Sequence, residues 1–82
     1  MNQAQKTLIL YTLSINYAVQ TKTRAEALDI VTDEREKRGE SPNVKEAGSF
    51  FDAVRDLAEK KASTKEKTAQ LWALAKKYAG KI

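Results

Sequence analysis

The sequence predicts a small α+β fold: one long N-terminal β-strand followed by three α-helices, with the strand paired across a homodimer. Three observations predict it. Apolar residues alternate along the first quarter of the chain, three capping boxes follow, and 82 residues make one domain rather than two.

The strand is expected over residues 7–20. Ile9, Tyr11, Leu13, Ile15, Tyr17 and Val19 fill the odd positions, with Thr12, Ser14, Asn16 and Gln20 between them. A period of two places the two sets on opposite faces of a strand, and Ile, Val, Tyr and Thr favour extended backbone. Leu8 and Leu10 interrupt the polar side, so that end is expected to be covered on both faces. A strand must also pair its amides and carbonyls. No second strand stands out, and no Gly, Pro or Asn-Gly turn splits residues 7–20 into a hairpin. Pairing with a second copy, addition to another protein's sheet, or a bent hairpin would each satisfy the backbone. The homodimer is the expected arrangement, with the six odd-numbered residues as its strand. A chain this short buries only about 60–65% of its unfolded surface, so a self-partner would add stability.

The three helices are expected at about 24–38, 44–61 and 64–79. Thr23 with Glu26, Asn43 with Glu46 and Ser63 with Glu66 each pair a polar cap with a Glu three residues on, the pattern that satisfies free amides at a helix start. Gly39 and Gly80 mark the first and last stops, and Pro42 precedes the second start. The first helix carries Ala27, Leu28 and Val31 on one side and turns fully charged from Asp33 to Arg38. The second is strongly amphipathic, with Val44, Ala47, Phe51, Val54 and Ala58 at helical spacing, flanked by Phe50 and Leu57. The third presents Leu71, Ala75, Tyr78 and Ile82, with Trp72 and Leu74 at the edges.

Composition removes much of chemical space. The chain has no His and no Cys. It therefore lacks a disulfide framework, a Cys or His metal site, a thiol nucleophile and an imidazole base. Ser14, Ser41, Ser49 and Ser63 fall at strand, turn or cap positions outside any Gly-x-Ser-x-Gly context, and Gly39, Gly48 and Gly80 are isolated, so no phosphate loop exists. A non-catalytic protein without cofactors or a small-molecule substrate is expected. Apolar runs such as Leu8–Tyr11 are far short of the roughly 20 residues that span a membrane, and residues 1–20 lack a signal-peptide pattern. The expected setting is soluble and cytoplasmic.

Charge is unevenly spread. Residues 1–22 carry two lysines and no acids; residues 23–58 carry six bases and nine acids; residues 59–82 carry seven lysines and two acids. Asp29, Asp33, Glu36 and Glu40 recur at spacings that place them on one stripe of a continuing helix, a candidate surface for a basic partner. The competing reading is a solvated face eased by Asp33–Lys37 and Glu34–Arg38 pairs. Lys60, Lys61, Lys65, Lys67, Lys76, Lys77 and Lys81 crowd the end of the chain. Lys76, Lys77 and Lys81 suit a helix C-terminus, whereas Lys65 and Lys67 sit against the dipole in a first turn.

Two templates would put this protein on DNA. In one, strands from a dimer enter the major groove with Thr12, Ser14 and Asn16 facing the bases. That order of elements resembles ribbon-helix-helix repressors, with Gly39-Glu40-Ser41 where their inter-helix turn would fall. It departs from them in a longer strand, an outward strand face without central Arg or Lys, and a first helix without apolar residues in its second half. In the other template the last two helices form a helix-turn-helix about Ala62-Ser63-Thr64, with the C-terminal lysines on phosphates. The function expected first is a small interaction protein docking on another macromolecule, as accessory and inhibitor proteins of mobile elements such as phages do. A protein partner is favoured, and a dimeric DNA-binding regulator is the alternative.

Overall fold

A computed structural model describes residues 2–82, and they form four α-helices: α1 (Gln3–Ala18), α2 (Arg24–Lys37), α3 (Val44–Glu59) and α4 (Thr64–Ala79). Among the described residues there is no strand. The α+β expectation is therefore corrected to all-α, and residues 7–20 lie mostly within α1.

Three local features make α1 a helix despite its alternating pattern. Asn2 and Gln5 form a reciprocal capping box, as Thr23 and Glu26 do: the Asn2 side chain accepts from the Gln5 amide at 2.8 Å, and Gln5 accepts from the Asn2 amide at 3.0 Å. Next, the buried face is not the apolar face of a strand. It consists of Thr7, Leu10, Leu13 and Ser14, which recur at helical spacing. The two hydroxyls tolerate burial because each donates to a carbonyl of its own helix, Thr7 to Gln3 at 2.9 Å and Ser14 to Tyr11 at 2.7 Å. Lastly, the helix ends in a Schellman motif without glycine. Gln20 adopts φ 63°, its amide donates to the Tyr17 carbonyl at 3.1 Å, and the Thr21 amide donates to Asn16 at 2.9 Å. With its amides and carbonyls bonded along the helix, this segment has no ladder to offer a second copy. The strand-paired homodimer falls with the strand.

α2 and α4 start at Thr23 and Ser63, whose hydroxyls accept from the amides of Glu26 and Glu66 at 3.1 and 3.2 Å, and Asn43 caps α3 through the Glu46 amide at 3.4 Å. α2 ends in a second Schellman motif, here with Gly39 at φ 75°. α3 is the core helix, burying Ala47, Gly48, Phe50, Phe51, Val54 and Leu57. Phe50 and Phe51 meet edge-on at 5.0 Å, Tyr17 of α1 packs on Phe51 at 5.6 Å, and Tyr78 of α4 packs on Phe50 at 5.3 Å.

α1 and α4 pack antiparallel: Gln3 lies beside Gly80, and Tyr11 lies beside Trp72. Beyond α4, Ile82 is buried, and its main-chain oxygen accepts from Arg35 and, at 3.1 Å, from Arg38. Asn43 donates to the Lys81 carbonyl at 3.1 Å. These bonds tie Lys81 and Ile82 to the end of α2 and the α2–α3 connection. No helix among the described residues is long and apolar enough to cross a membrane.

Candidate functional site

The surface of α1 carries a stripe that the core does not use. Leu8, Thr12, Ile15 and Val19 are all exposed and stand four, three and four residues apart, the spacing of one helix face. α4 carries a matching stripe of exposed residues at the same intervals: Lys65, Ala69, Trp72 and Lys76. Antiparallel packing sets the two side by side, with Lys65 at the Val19 end and Lys76 at the Leu8 end. Tyr11 and Trp72 bridge them, ring centroids 5.1 Å apart and planes at 79°.

Four large apolar side chains stand open here: Leu8 (57% exposed), Ile15 (37%), Val19 (62%) and Trp72 (43%). Toward the C-terminal end of α1 the stripe runs into a groove of about 290 Å³ between α1, α3 and α4, with Ile15, Val19, Leu57, Lys67, Thr68 and Leu71 in its walls. The groove exists because the first turn of α4 is polar. Thr64 and Thr68 line it, exposed, where larger apolar side chains would fill the gap, and the Thr68 hydroxyl turns back to the Thr64 carbonyl at 2.7 Å. Lys67 is held along one wall by donating to the Ala58 carbonyl at 2.8 Å.

The charge around this face is mainly positive. Within its helical bounds α1 carries Lys6 and no acid, and α4 carries Lys65, Lys67, Lys76 and Lys77 against Glu66. Lys77 and Lys81 lie over the Tyr78 ring at 5.8 and 5.4 Å, which leaves Lys76 as the lysine of that end on the Trp72 stripe.

The residues singled out from sequence are placed as follows. Asp29, Asp33 and Glu36 are exposed along α2. Glu40 lies past the end of the helix, partly buried, and pairs with Arg35 at 3.2 Å and Arg38 at 3.3 Å. The Arg38 hydrogen bond holds its carboxyl below the ordinary range, against a smaller opposing effect of burial. Glu26 is lowered likewise by its hydrogen bonds with the Thr23 amide and hydroxyl. Lys37 meets Glu34 at 3.6 Å rather than Asp33, and Arg38 meets Glu40 rather than Glu34. Among the described residues no group of three or more carboxylates is placed to hold a metal ion.

The lysines divide between the two ends of α4. Lys60, Lys61 and Lys65 surround the α3–α4 turn, whereas Lys76 and Lys77 stand near the far end of α4, about 16–18 Å from Lys65 at the rise of an α-helix. The ribbon template does not survive. Ser14 is fully buried, Thr12 faces solvent with its hydroxyl on the Leu8 carbonyl at 2.9 Å, and Asn16 accepts from Thr21 at 3.1 Å. Of the six residues assigned to a dimer strand, Leu13 is in the core, Ile9, Tyr11 and Tyr17 pack partly against it, and Ile15 and Val19 are exposed.

Leu8, Ala69 and Trp72 were not among the expected contact residues. The signal that finds them is the shared spacing of four, three and four on both helices, visible only once residues 3–18 are wound as a helix. Compared with models of known protein families, with curated proteins and with solved structures, the chain matches none.

Proposed function

We propose that this chain is a small non-catalytic interaction protein that docks on another protein through the face shared by α1 and α4. One observation carries the reading. Of the five exposed large apolar side chains among the described residues, four lie together on this face and only Val44 stands elsewhere. Single exposed apolar residues are ordinary on a soluble protein, whereas a contiguous set with a polar rim marks an interaction site. Trp and Tyr at the centre are the residue types that carry most binding energy at protein interfaces. The mode of action in this reading is occupancy of a partner's surface, as accessory and inhibitor proteins work. A soluble, intracellular setting belongs to the proposal, in keeping with a chain in which 32% of residues are charged.

Site-specific photo-crosslinking tests it. A photoreactive residue replacing Thr12 or Ala69, both exposed on the face, is expected to give a discrete adduct in native lysate. The same residue replacing Asp33 or Asp56, exposed on other surfaces, is expected to give none. Adducts from Asp33 with none from the face would transfer the site to α2.

A further inference from the structure

Resting on the docking reading above, we infer that the occupant of the α1/α4 face is an amphipathic helix of another protein, bearing an apolar stripe with carboxylates about three turns apart at its two ends. The shape of the face selects a helix. Two antiparallel helices present parallel stripes at helical spacing, joined at mid-length by Tyr11 and Trp72, and a third helix laid over the pair meets both with side chains at i, i+3, i+4 and i+7. The groove beside Ile15 and Val19 takes one apolar side chain of the occupant below the level of the stripe.

The charge selects an acidic one. Lys65 and Lys76 end the α4 stripe eleven residues apart, which is about 16 Å along the axis. Between them the stripe is Ala69 and Trp72, and the facing stripe on α1 is uncharged throughout. A partner helix with Glu or Asp eleven residues apart meets both ammonium groups while its apolar residues cover Leu8, Ile15, Val19 and Trp72. A helix with lysines there would set like charges against each other.

A second copy of this chain matches the face less well. Its acidic stripe, Asp29, Asp33 and Glu36, lies on a helix with no exposed large apolar side chain among the described residues and would leave the apolar stripe uncovered, while its own α1/α4 face brings lysines rather than carboxylates to Lys65 and Lys76. An anionic bilayer matches the charge, yet a flat surface does not fill a groove recessed between three helices.

The test uses the full chain and its single tryptophan. The probe is a synthetic, helix-stapled peptide without aromatic residues, leucines at i, i+4 and i+7, and glutamates eleven residues apart. Addition is expected to give a saturable blue shift of Trp72 emission. The same peptide with lysine at the two glutamate positions is expected to bind about tenfold more weakly. The Lys65→Glu/Lys76→Glu variant should reverse that preference, and circular dichroism of this variant should be unchanged because both residues are exposed. Equal binding of the two peptides, or binding of neither, overturns the inference. A shift with phosphatidylglycerol vesicles but not with peptide overturns it in favour of a membrane surface. A shift that grows with protein concentration alone overturns it in favour of self-association. Adducts at Thr12 and Ala69 together with charge-blind peptide binding would defeat this inference and leave the docking reading standing. Absence of those adducts would defeat the docking reading itself.

Discussion

The Ser14 hydroxyl donates to the Tyr11 carbonyl at 2.7 Å from a side chain with no solvent exposure. That one bond lets a polar residue sit on the inner face of α1. With Thr7, Leu10, Leu13 and Ser14 on that inner face, Leu8, Ile15 and Val19 are left toward solvent. A strand would place Thr12 and Ser14 on the same face; the helix places them on opposite sides.

A charge at these two positions therefore separates the two geometries. Ser14→Asp is expected to cost about 3 kcal/mol or more, because it buries an unpaired carboxylate. Thr12→Asp is expected to stay within about 0.5 kcal/mol of the parent, since Thr12 is exposed. Urea unfolding followed by circular dichroism measures both. Equal tolerance at the two positions would contradict the helical placement.

The two Schellman motifs predict opposite effects of glycine. Gln20 holds φ 63° with a side chain that disfavours it, and Gln20→Gly is expected to add about 1 kcal/mol. Gly39 holds φ 75°, and Gly39→Ala is expected to remove about 1 kcal/mol, although nothing stands within 4 Å of the added methyl. The loss would come from backbone conformation alone. Unfolding midpoints of the two variants should move in opposite directions.

Tyr17 packs edge-on against Phe51, and its buried hydroxyl finds no hydrogen-bond partner among the described residues. An unpaired buried hydroxyl costs about 1–3 kcal/mol, and Phe keeps the ring contact. Tyr17→Phe is expected to raise stability by about 1 kcal/mol in the same urea assay. A loss of that size would show that the hydroxyl is bonded.

Acid should destabilise the fold through Glu40 and Glu26. Both carboxyls lie below their ordinary value in the folded chain, Glu40 through Arg38 and Glu26 through the Thr23 cap. A lowered folded value means that protonation favours the unfolded chain. The contribution is complete above the ordinary Glu range near pH 4.3 and is lost as pH falls through the folded values below it. Melting temperatures between pH 7 and pH 3 should decline on the acid side, and Glu40→Gln should make that decline shallower. An unchanged acid limb in Glu40→Gln would remove Glu40 from the account.

How far the sequence disclosed this arrangement follows from where polar groups find partners. Thr23, Asn43 and Ser63 were legible because each cap is followed by Glu at the third position and then by apolar residues at helical spacing. Asn2 with Gln5 obeys the same rule. It was outweighed by six apolar residues at odd positions that mimic a strand only because Thr7 and Ser14 hide their hydroxyls on their own backbone. The end of α1 was equally hidden, since Gln20 does the work usually given to glycine. The docking face inherits that error: the sequence pattern makes Ile15 and Val19 strand residues and leaves Trp72 at the edge of a helix's apolar face, while the spacing that joins them belongs to a helix. Charge was legible in number and less so in place. Glu40 belongs to its sequence stripe and yet turns to Arg35 and Arg38, a contact that needs the Gly39 turn to form.

The most direct measurement is a map of amide chemical-shift changes in the labelled full chain on addition of the acidic stapled peptide. The account predicts the largest changes at Leu8, Thr12, Ile15, Val19, Ala69 and Trp72, with none along Asp29–Glu36. Changes centred on α2, or spread evenly over all four helices, would contradict it.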